Sequence, residues 1–275
     1  MLLLDLNQIA FSNLHMQVLK MSLNENMIRH MVYNSIRMYN QKFAKEYGAP
    51  VICCDSKRYW RRDVFPHYKA GRKKSREKSN LDWNMVFATL NSIREDLAAF
   101  FPYKVLNIEG AEADDVIAAL VQNYHAKEPI LILSGDKDFQ QLQRYPNVRQ
   151  YSPVQKKFIE SSDPVAYLKE HILRGDSGDG VPNFLSNDDT FVTGERQRVI
   201  NSGRLNEWLN QEPNQFCTNE TLLRNYKRNQ MLVDFDYIPK ELTQNIVSTY
   251  DSIVPAKRNH LLNYFIERDR KSTRL

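Results

Sequence analysis

Residues 130–138 read Ile130-Leu131-Ile132-Leu133-Ser134-Gly135-Asp136-Lys137-Asp138. Four consecutive aliphatic residues closed by Ser-Gly have the length and composition of a strand buried on both faces. Two acids follow within five residues of its end. The same arrangement recurs upstream. Leu2-Leu3-Leu4 reads as a strand ending on Asp5, and Val51-Ile52-Cys53-Cys54 as a strand ending on Asp55. Lys104 to Ile108 is a further strand, and Glu112, Asp114 and Asp115 open the helix that follows it over 111–124, with Val116, Ile117, Leu120, Val121 and Tyr124 inward. Between these strands lie segments of helical period. Ile28, Val32, Ile36, Tyr39, Phe43 and Tyr47 recur every three or four residues until Gly48 and Pro50 stop them, and Val86, Leu90, Ile93, Leu97 and Phe100 do so until Pro102. A short strand follows over 148–151. Alternating strands and helices predict an α/β fold with a mainly parallel central sheet flanked by helices on both faces. Beyond Val181 the strand signals fade, and polar segments over 219–233 and 255–268 read as helices. The expected organisation is therefore a core over 1–180 and a smaller C-terminal helical region over 181–275.

Composition excludes several classes. In 275 residues, 42% are hydrophobic and 26% charged, which is globular rather than disordered or fibrous. No apolar run approaches the roughly 18–20 residues of a membrane span. The Met1–Leu4 stretch lacks a basic lead-in and is cut by Asp5, so it does not read as a signal peptide. Three cysteines, two of them adjacent at 53 and 54, fit neither a disulfide framework nor a zinc spacing. An intracellular, cytoplasmic setting is the expectation.

Acids at the carboxyl ends of parallel strands fall where open α/β sheets bind ligands. Asp5, Asp55, Glu112, Asp114, Asp115, Asp136 and Asp138 come from four separate segments to one edge, and Asp176 and Asp179 lie in the turn Gly175-Asp176-Ser177-Gly178-Asp179-Gly180. Each alone has an ordinary explanation as a helix cap, a first-turn acid or a turn residue. Convergence is what argues for function. Two carboxylates ~5 Å apart repel by roughly 3 kcal/mol at an effective dielectric near 20, so a cluster requires protons or cations. Oxygen ligands without His or Cys point to Mg²⁺ or Mn²⁺. Because magnesium takes only one or two carboxylates directly, so many acids imply two ions, the usual clamp for attack of water on a phosphodiester.

The net charge of +5 is one patch. Residues 57–78 hold ten Lys or Arg and two acids, net +8, leaving 28 basic and 31 acidic residues, net −3, for the rest. Such a field suits a polyanion. Tyr59, Trp60, His67 and Tyr68 are interleaved with Arg61, Arg62, Lys69, Arg72, Lys73, Lys74, Arg76 and Lys78, a pattern that offers base stacking beside phosphate contacts. Packing beneath a loop explains Trp60 nearly as well. Pro66 and Gly71 argue against one continuous helix through the segment. Acid cluster and polyanion patch together make a nuclease the economical reading.

At these residues the chain resembles the 5′-nuclease (flap endonuclease) superfamily, and within it the ribonuclease H branch of T-even bacteriophages. The resemblance rests on Leu4-Asp5-Leu6-Asn7-Gln8-Ile9-Ala10, Tyr59-Trp60-Arg61-Arg62-Asp63, Glu112-Ala113-Asp114-Asp115, Asp136-Lys137-Asp138-Phe139, Tyr145-Pro146-Asn147-Val148 and Asp234-Phe235-Asp236-Tyr237-Ile238-Pro239 in order. It implies a PIN-like core whose helical arch corresponds to residues 57–80, and a metal-dependent enzyme cutting from the 5′ end of RNA–DNA hybrid or duplex DNA and at 5′ flaps. It further implies Asp5, Asp55, Glu112, Asp114 and Asp136 on a first Mg²⁺, Asp138, Asp176 and Asp179 on a second, and Asp115 as the ninth acid of the set, with Mn²⁺ able to substitute. Lys69 and Arg72 match cations on the scissile and adjacent phosphates, and Arg61 matches a basic residue beside the site. Tyr59, Arg62, Tyr68, Lys73, Lys74, Arg76 and Lys78 are the expected nucleic-acid contacts. The resemblance also implies a monomer that removes RNA primers in lagging-strand replication within the host cytoplasm, beside a single-strand-binding protein and a sliding clamp. Asp234 and Asp236 have no strand-edge placement and read as structural. After the Asp-x-x-Asp turn most relatives carry a Gly-x-Gly hairpin that grips duplex DNA and potassium, and here the chain reads Val181-Pro182-Asn183-Phe184.

Three other readings compete. A PIN-type endoribonuclease is typically smaller and lacks a long cationic arch. A haloacid-dehalogenase phosphatase needs its acid pair on the first strand, where this chain has Asp5-Leu6-Asn7. A non-catalytic branched-DNA-binding protein should have lost its acids.

Exposed cations on phosphate set affinity and its salt slope additively. Lys73, Lys74 and Lys78 changed together to Ala should weaken binding to a 5′-flap DNA and lower the slope of log K against log salt by about one unit per lost contact. Fluorescence anisotropy over a salt series checks this; an unchanged slope would remove those lysines from the interface.

Overall fold

The computed structural model describes residues 1–17, 24–79, 81–261, 264 and 266. Its centre is a six-stranded sheet in the order β3-β2-β1-β4-β5-β6, built from β1 (Leu2–Asp5), β2 (Pro50–Cys54), β3 (Lys104–Asn107), β4 (Ile130–Leu133), β5 (Val148–Ser152) and β6 (Lys157–Ile159). β1 to β5 run parallel and β6 closes one edge antiparallel to β5. The alternation of side chains along a strand explains the continuous apolar runs. Leu3, Val51, Cys53, Ile130 and Ile132 face one layer, while Leu2, Leu4, Ile52, Leu131 and Leu133 face the other.

The helices are α1 (Leu6–Gln17), α2 (Glu25–Tyr47), α3 (Arg61–Val64), α4 (Gly71–Glu77), α5 (Trp83–Phe100), α6 (Ala113–Tyr124) and α7 (Pro164–Arg174), followed by short α8 (Thr190–Thr193), α9 (Ser202–Leu209) and α10 (Pro213–Phe216), then α11 (Glu220–Val233) and α12 (Lys240–Ser252). α1, α2 and α5 cover the Leu2/Leu4 face, and α6 and α12 cover the Leu3 face. Local chemistry sets their ends. Asn24 caps α2 by accepting the Met27 N–H (3.0 Å), Asp82 caps α5 through Met85, and Glu112 and Asp115 form a reciprocal capping box on α6. Among the described residues no helix is long and apolar enough to cross a membrane.

The expected strands and the helices over 24–47, 86–100 and 111–124 are present. The basic segment contains two short helices, α3 and α4, broken by turns over 66–70, as Pro66 and Gly71 require. Several elements lie outside the expectations. α1 follows β1 without a turn, β6 is too short to show a period, and the amphipathic α7 and α12 are not among the expected helices. The helix expected over 255–268 is corrected at its start: residues 253–257 have no regular structure. Part of that range, including 262, 263, 265, 267 and 268, lies outside the described residues.

One glycine fixes where the late acids stand. Gly175 ends α7 at φ +66°, and a Cβ there would lie 2.4 Å from the Val181 carbonyl oxygen. The turn it begins is closed by Asp176 N–H to Val181 O (2.8 Å) and Val181 N–H to Asp176 O (2.7 Å). Gly48 also has positive φ, at +81°, with nothing within 4 Å of its Cβ position. Gly48→Ala should therefore cost only its positive-φ extended backbone, about 1–3 kcal/mol, and Gly175→Ala that strain plus the close approach, about 2 kcal/mol more. Urea unfolding of the two variants compares them; equal losses would refute the close approach at Gly175.

Candidate active site

The sheet supplies the site because β1 is its switch point. The chain leaves β1 toward β2 on one side and pairs with β4 on the other, so a crevice opens at the carboxyl ends of β1 and β4. Asp5 ends β1, Asp55 directly follows β2, and Asp136 stands three residues beyond β4. Asp5 Oδ1 accepts the Gln8 N–H (2.9 Å) and Oδ2 accepts the Ser134 hydroxyl (3.3 Å). Asp55 accepts from the Asn7 amide (2.6 Å) and from the Ala113 N–H at the start of α6 (2.7 Å). The buried Gln150 amide donates to the carbonyls of Ser134 (3.0 Å) and Asp136 (2.6 Å), pinning the loop that carries Asp136. Asp114 projects from the first turn of α6.

Among the described residues, Asp5, Asp55, Asp114 and Asp136 form no ion pair. Burial, reinforced by Asp55 and Asp136, pushes the Asp5 carboxyl up to about 7. Burial and then Asp136 raise Asp114 well above the carboxylate range. Asp5 and Asp114 are thus held in the cluster at the expense of their charged forms.

The outer acids are different, because each has a cation. Glu112 receives Arg61 Nη1 (3.1 Å), the Tyr68 hydroxyl (2.9 Å) and Lys69. Asp115 is fully buried against Arg61 (2.7 Å), the Trp60 indole N–H (3.2 Å) and the Glu112 N–H (2.9 Å). Asp179 receives Arg72 (2.5 Å), Tyr68 (2.8 Å) and Lys69 (3.3 Å), and these cations outweigh burial to lower its carboxyl below the usual range. Asp176 Oδ1 accepts the Gly178 (2.7 Å) and Asp179 (3.2 Å) N–H groups, and Oδ2 meets Lys137 (2.9 Å) and His171 Nε2 (3.3 Å). Although burial opposes it, those partners lower the Asp176 carboxyl. Asp138 lies with His171 and Asp176, and burial followed by Asp136 pushes its carboxyl up to about 7.

The basic segment and α5 enclose a cavity of about 980 Å³ beside this cluster, lined by Asn7, Asp55, Lys57, Tyr59, Arg62, Lys69, Arg72, Arg76, Trp83, Phe87 and Arg94. Arg62 stacks on Tyr59 (4.8 Å) and Arg76 on Phe87 (5.3 Å). Lys73, Lys74 and Lys78 are exposed outside it.

Three sequence expectations shift here. Arg61 is 2% exposed and donates to the Leu232 carbonyl (2.9 Å) as well as to Glu112, so it underlies the site and does not face a phosphate. Tyr68 is buried with its hydroxyl on two acids, which leaves no face for base stacking. Lys69 is buried at φ +57°, its side chain directed at Glu112 and Asp179. Trp60 packs on Arg61 (4.7 Å), as its loop position allowed. Asp236 binds Arg144 (2.5 Å) and Gln122 (3.0 Å), away from the cluster. Sequence reading missed His171, Arg94, Phe87 and Trp83; the last three lie on α5, whose apolar stripe masked its cavity face.

Divalent metal suits this donor set. It is all oxygen at the sheet edge, and of the four buried side-chain polar atoms without a hydrogen-bond partner among the described residues, two, Asp138 Oδ1 and His171 Nδ1, face each other here.

Comparison with known proteins agrees with this geometry. Residues 1–171 match the family described as the 5′-3′ exonuclease N-terminal resolvase-like domain, and residues 164–273 match the C-terminal domain of T4 RNase H. The chain is 37% identical to Ribonuclease H of Enterobacteria phage T4, over 96% of this chain and 90% of that protein. It is 32% identical to Flap endonuclease Xni of Shewanella sp. strain W3-18-1, over 46% of this chain and 47% of that one. Among solved structures, T5 5′-exonuclease with bound zinc superposes with a TM-score of 0.66 at 17% identity, covering 92% of this chain and 99% of that chain. A T5 flap endonuclease pseudo-enzyme–product complex with DNA and metal ions gives 0.64 at 16%, covering 91% and 99%. With the two family matches spanning residues 1 to 273 and the acids gathered at the switch point of the sheet, the chain belongs to the 5′-3′ exonuclease family, in its phage ribonuclease H branch.

Proposed function

We propose that the chain is a Mg²⁺-dependent 5′-nuclease that hydrolyses RNA–DNA hybrid or duplex DNA from the 5′ end and cuts 5′ flaps, removing RNA primers during lagging-strand replication in the host cytoplasm. The observation that carries this is a division of charge: among the described residues the sheet-edge acids Asp5, Asp55, Asp114 and Asp136 lack cations, while a cavity opens beside them whose lining includes Lys57, Arg62, Arg76 and Arg94, which pair with no acid, and Lys69 and Arg72, which do. Two divalent ions at the acids would neutralise the cluster and lower the pKa of an attacking water.

The chain's own groups divide the remaining work. Asp5, Asp55, Asp114 and Asp136 are the direct holders of a first ion. Glu112 has Arg61, Tyr68 and Lys69 already, so its share is to fix Lys69 beside that ion. Asp138, Asp176 and Asp179 serve the second, and Asp115 positions Arg61 beneath the site. Lys57, Arg62, Arg72, Arg76 and Arg94 meet phosphates within the cavity, with Tyr59 and Phe87 as stacking surfaces. The catalytic core extends to about residue 180, and the helical remainder buttresses it.

Activity on a 5′-labelled flap should vanish in excess chelator and return with Mg²⁺ or Mn²⁺. Asp136→Asn should lower single-turnover cleavage by at least a hundredfold while flap binding changes less than threefold. Turnover in EDTA, or wild-type rates in Asp136→Asn, would overturn the reading.

Lys69 and Lys74 separate fixed from solvated cations. Lys69→Ala should depress single-turnover cleavage at saturating enzyme by at least tenfold, about 1.4 kcal/mol or more of lost fixed charge. Lys74→Ala should weaken binding alone. Rapid-quench rates for the two variants check this; if they coincide, Lys69 has no role beyond electrostatic attraction.

A further inference from the structure

We infer that His171 is a metal ligand: its Nδ1, with Asp138 Oδ1, holds one of the divalent ions, and Asp176 orients the ring from behind through Nε2–H. This rests on the proposed placement of Asp138 at the second ion.

Three observations support it. His171, in the last turn of α7, is only 6% exposed, and its Nδ1 has no hydrogen-bond partner. The atom it faces, Asp138 Oδ1 at 3.5 Å, is also buried and without one. With the proton on Nε2 and Asp138 ionised, two lone-pair acceptors confront each other in a dry place, an arrangement that costs free energy unless a proton or a metal ion lies between them. Adjacent ligands each about 2.1 Å from one ion are themselves about 3.0–3.5 Å apart, so the observed separation fits a shared ion with little movement.

The tautomer is set by the second nitrogen. Nε2 meets Asp176 Oδ2 at 3.3 Å, and a carboxylate there takes the N–H and leaves Nδ1 bare. Metal-bound imidazoles are commonly oriented in this way. Asp176 is suited to orienting and poorly suited to direct ligation. Its Oδ1 already accepts two backbone N–H groups, and its Oδ2 is shared between His171 and Lys137. Lys137 is half-exposed at 53% and free to swing away when a divalent charge enters. Gly175 and the closed turn behind it fix Asp176 against the ring. Among the described residues no comparable nitrogen stands at Asp5, Asp55, Asp114 or Asp136, so the two ions would sit in different chemistry: oxygen alone at one, oxygen with nitrogen at the other.

A nitrogen ligand moves selectivity toward the later first-row metals, in the order Mn²⁺ < Co²⁺ < Ni²⁺, relative to an all-oxygen magnesium site. The chain has six histidines, so the coupling can be assigned by labelling and one substitution. The test is pulsed EPR of the full chain carrying two equivalents of Mn²⁺, with calorimetry for stoichiometry. The expected result is one histidine-nitrogen coupling that changes on ¹⁵N-histidine labelling and disappears in His171→Gln. In calorimetry that variant should lose at least tenfold in affinity at one Mn²⁺ site and retain the other. A wild-type spectrum with only water-proton couplings at two bound Mn²⁺ would overturn the proposal, and so would a nitrogen coupling that survives in His171→Gln. If the variant folds poorly, the labelled wild type still shows whether any histidine nitrogen coordinates Mn²⁺, and its absence overturns the proposal. Flap cleavage with Mg²⁺ is scored separately: its persistence beside a nitrogen-free spectrum sinks the ligand assignment and leaves the nuclease reading intact.

Discussion

Like-charge repulsion among carboxylates at one sheet edge is the constraint around which the molecule is organised. The parallel sheet brings Asp5, Asp55 and Asp136 together because each stands at or just past the end of a neighbouring strand, and the buried aliphatic layers fix those strands rigidly. Folding thus supplies the energy that keeps the acids close. Within the cluster, ionisation of three acids is opposed in return: Asp5 and Asp138 are pushed up to about 7 and Asp114 is raised well above its ordinary range. The first turns of α1 and α6 and the loop after β4 answer with hydrogen bonds from Asn7, Gln8, Ala113 and Ser134, which orient the oxygens without neutralising them.

Around that uncompensated centre lies a ring that is compensated internally. Arg61, Lys69, Arg72 and Lys137 each bind an acid on a different element, and three of those acids, Glu112, Asp176 and Asp179, border the cluster. A buried pair of this type contributes little net stability, since desolvation cancels most of the attraction, yet removing one partner is costly. Its value here is placement. Arg61 joins α3 to α6 and, through the Leu232 carbonyl, to the end of α11, so the root of the basic segment is locked to the core.

The strands, the main helices and the strand-end acids were legible in the sequence because they depend on local pattern. A run such as Ile130–Leu133 can be buried in few ways, and an acid immediately after it has only one edge to occupy. The roles of Arg61, Tyr68 and Lys69 were not legible. Composition placed them in a cationic, aromatic segment facing a polyanion, and whether such a side chain turns outward to phosphate or inward to Glu112 depends on contacts 43 to 51 residues away. His171 was hidden for the same reason: on α7 it looks like one more polar helix residue until the turn at Gly175 folds Asp176 back against it. β6 and α1 escaped notice because three residues show no period and α1 begins without a turn after β1.

Asp179 shows why the two charge systems cannot be independent. Its carboxylate holds Arg72 and Tyr68 while its backbone carbonyl accepts the Lys69 N–H (2.7 Å), so the turn carrying Asp176 and the segment lining the cavity share one anchor. Among the described residues, half-exposed Arg72 has that single acid as ion-pair partner, whereas buried Lys69 has two. A phosphate entering the cavity can therefore draw Arg72 from Asp179 at small cost, but Lys69 only by disturbing Glu112 as well. The gradient of attachment, from solvated Lys74 through Arg72 to Lys69, orders the cations by how little they move, and the least mobile is the one nearest the acids.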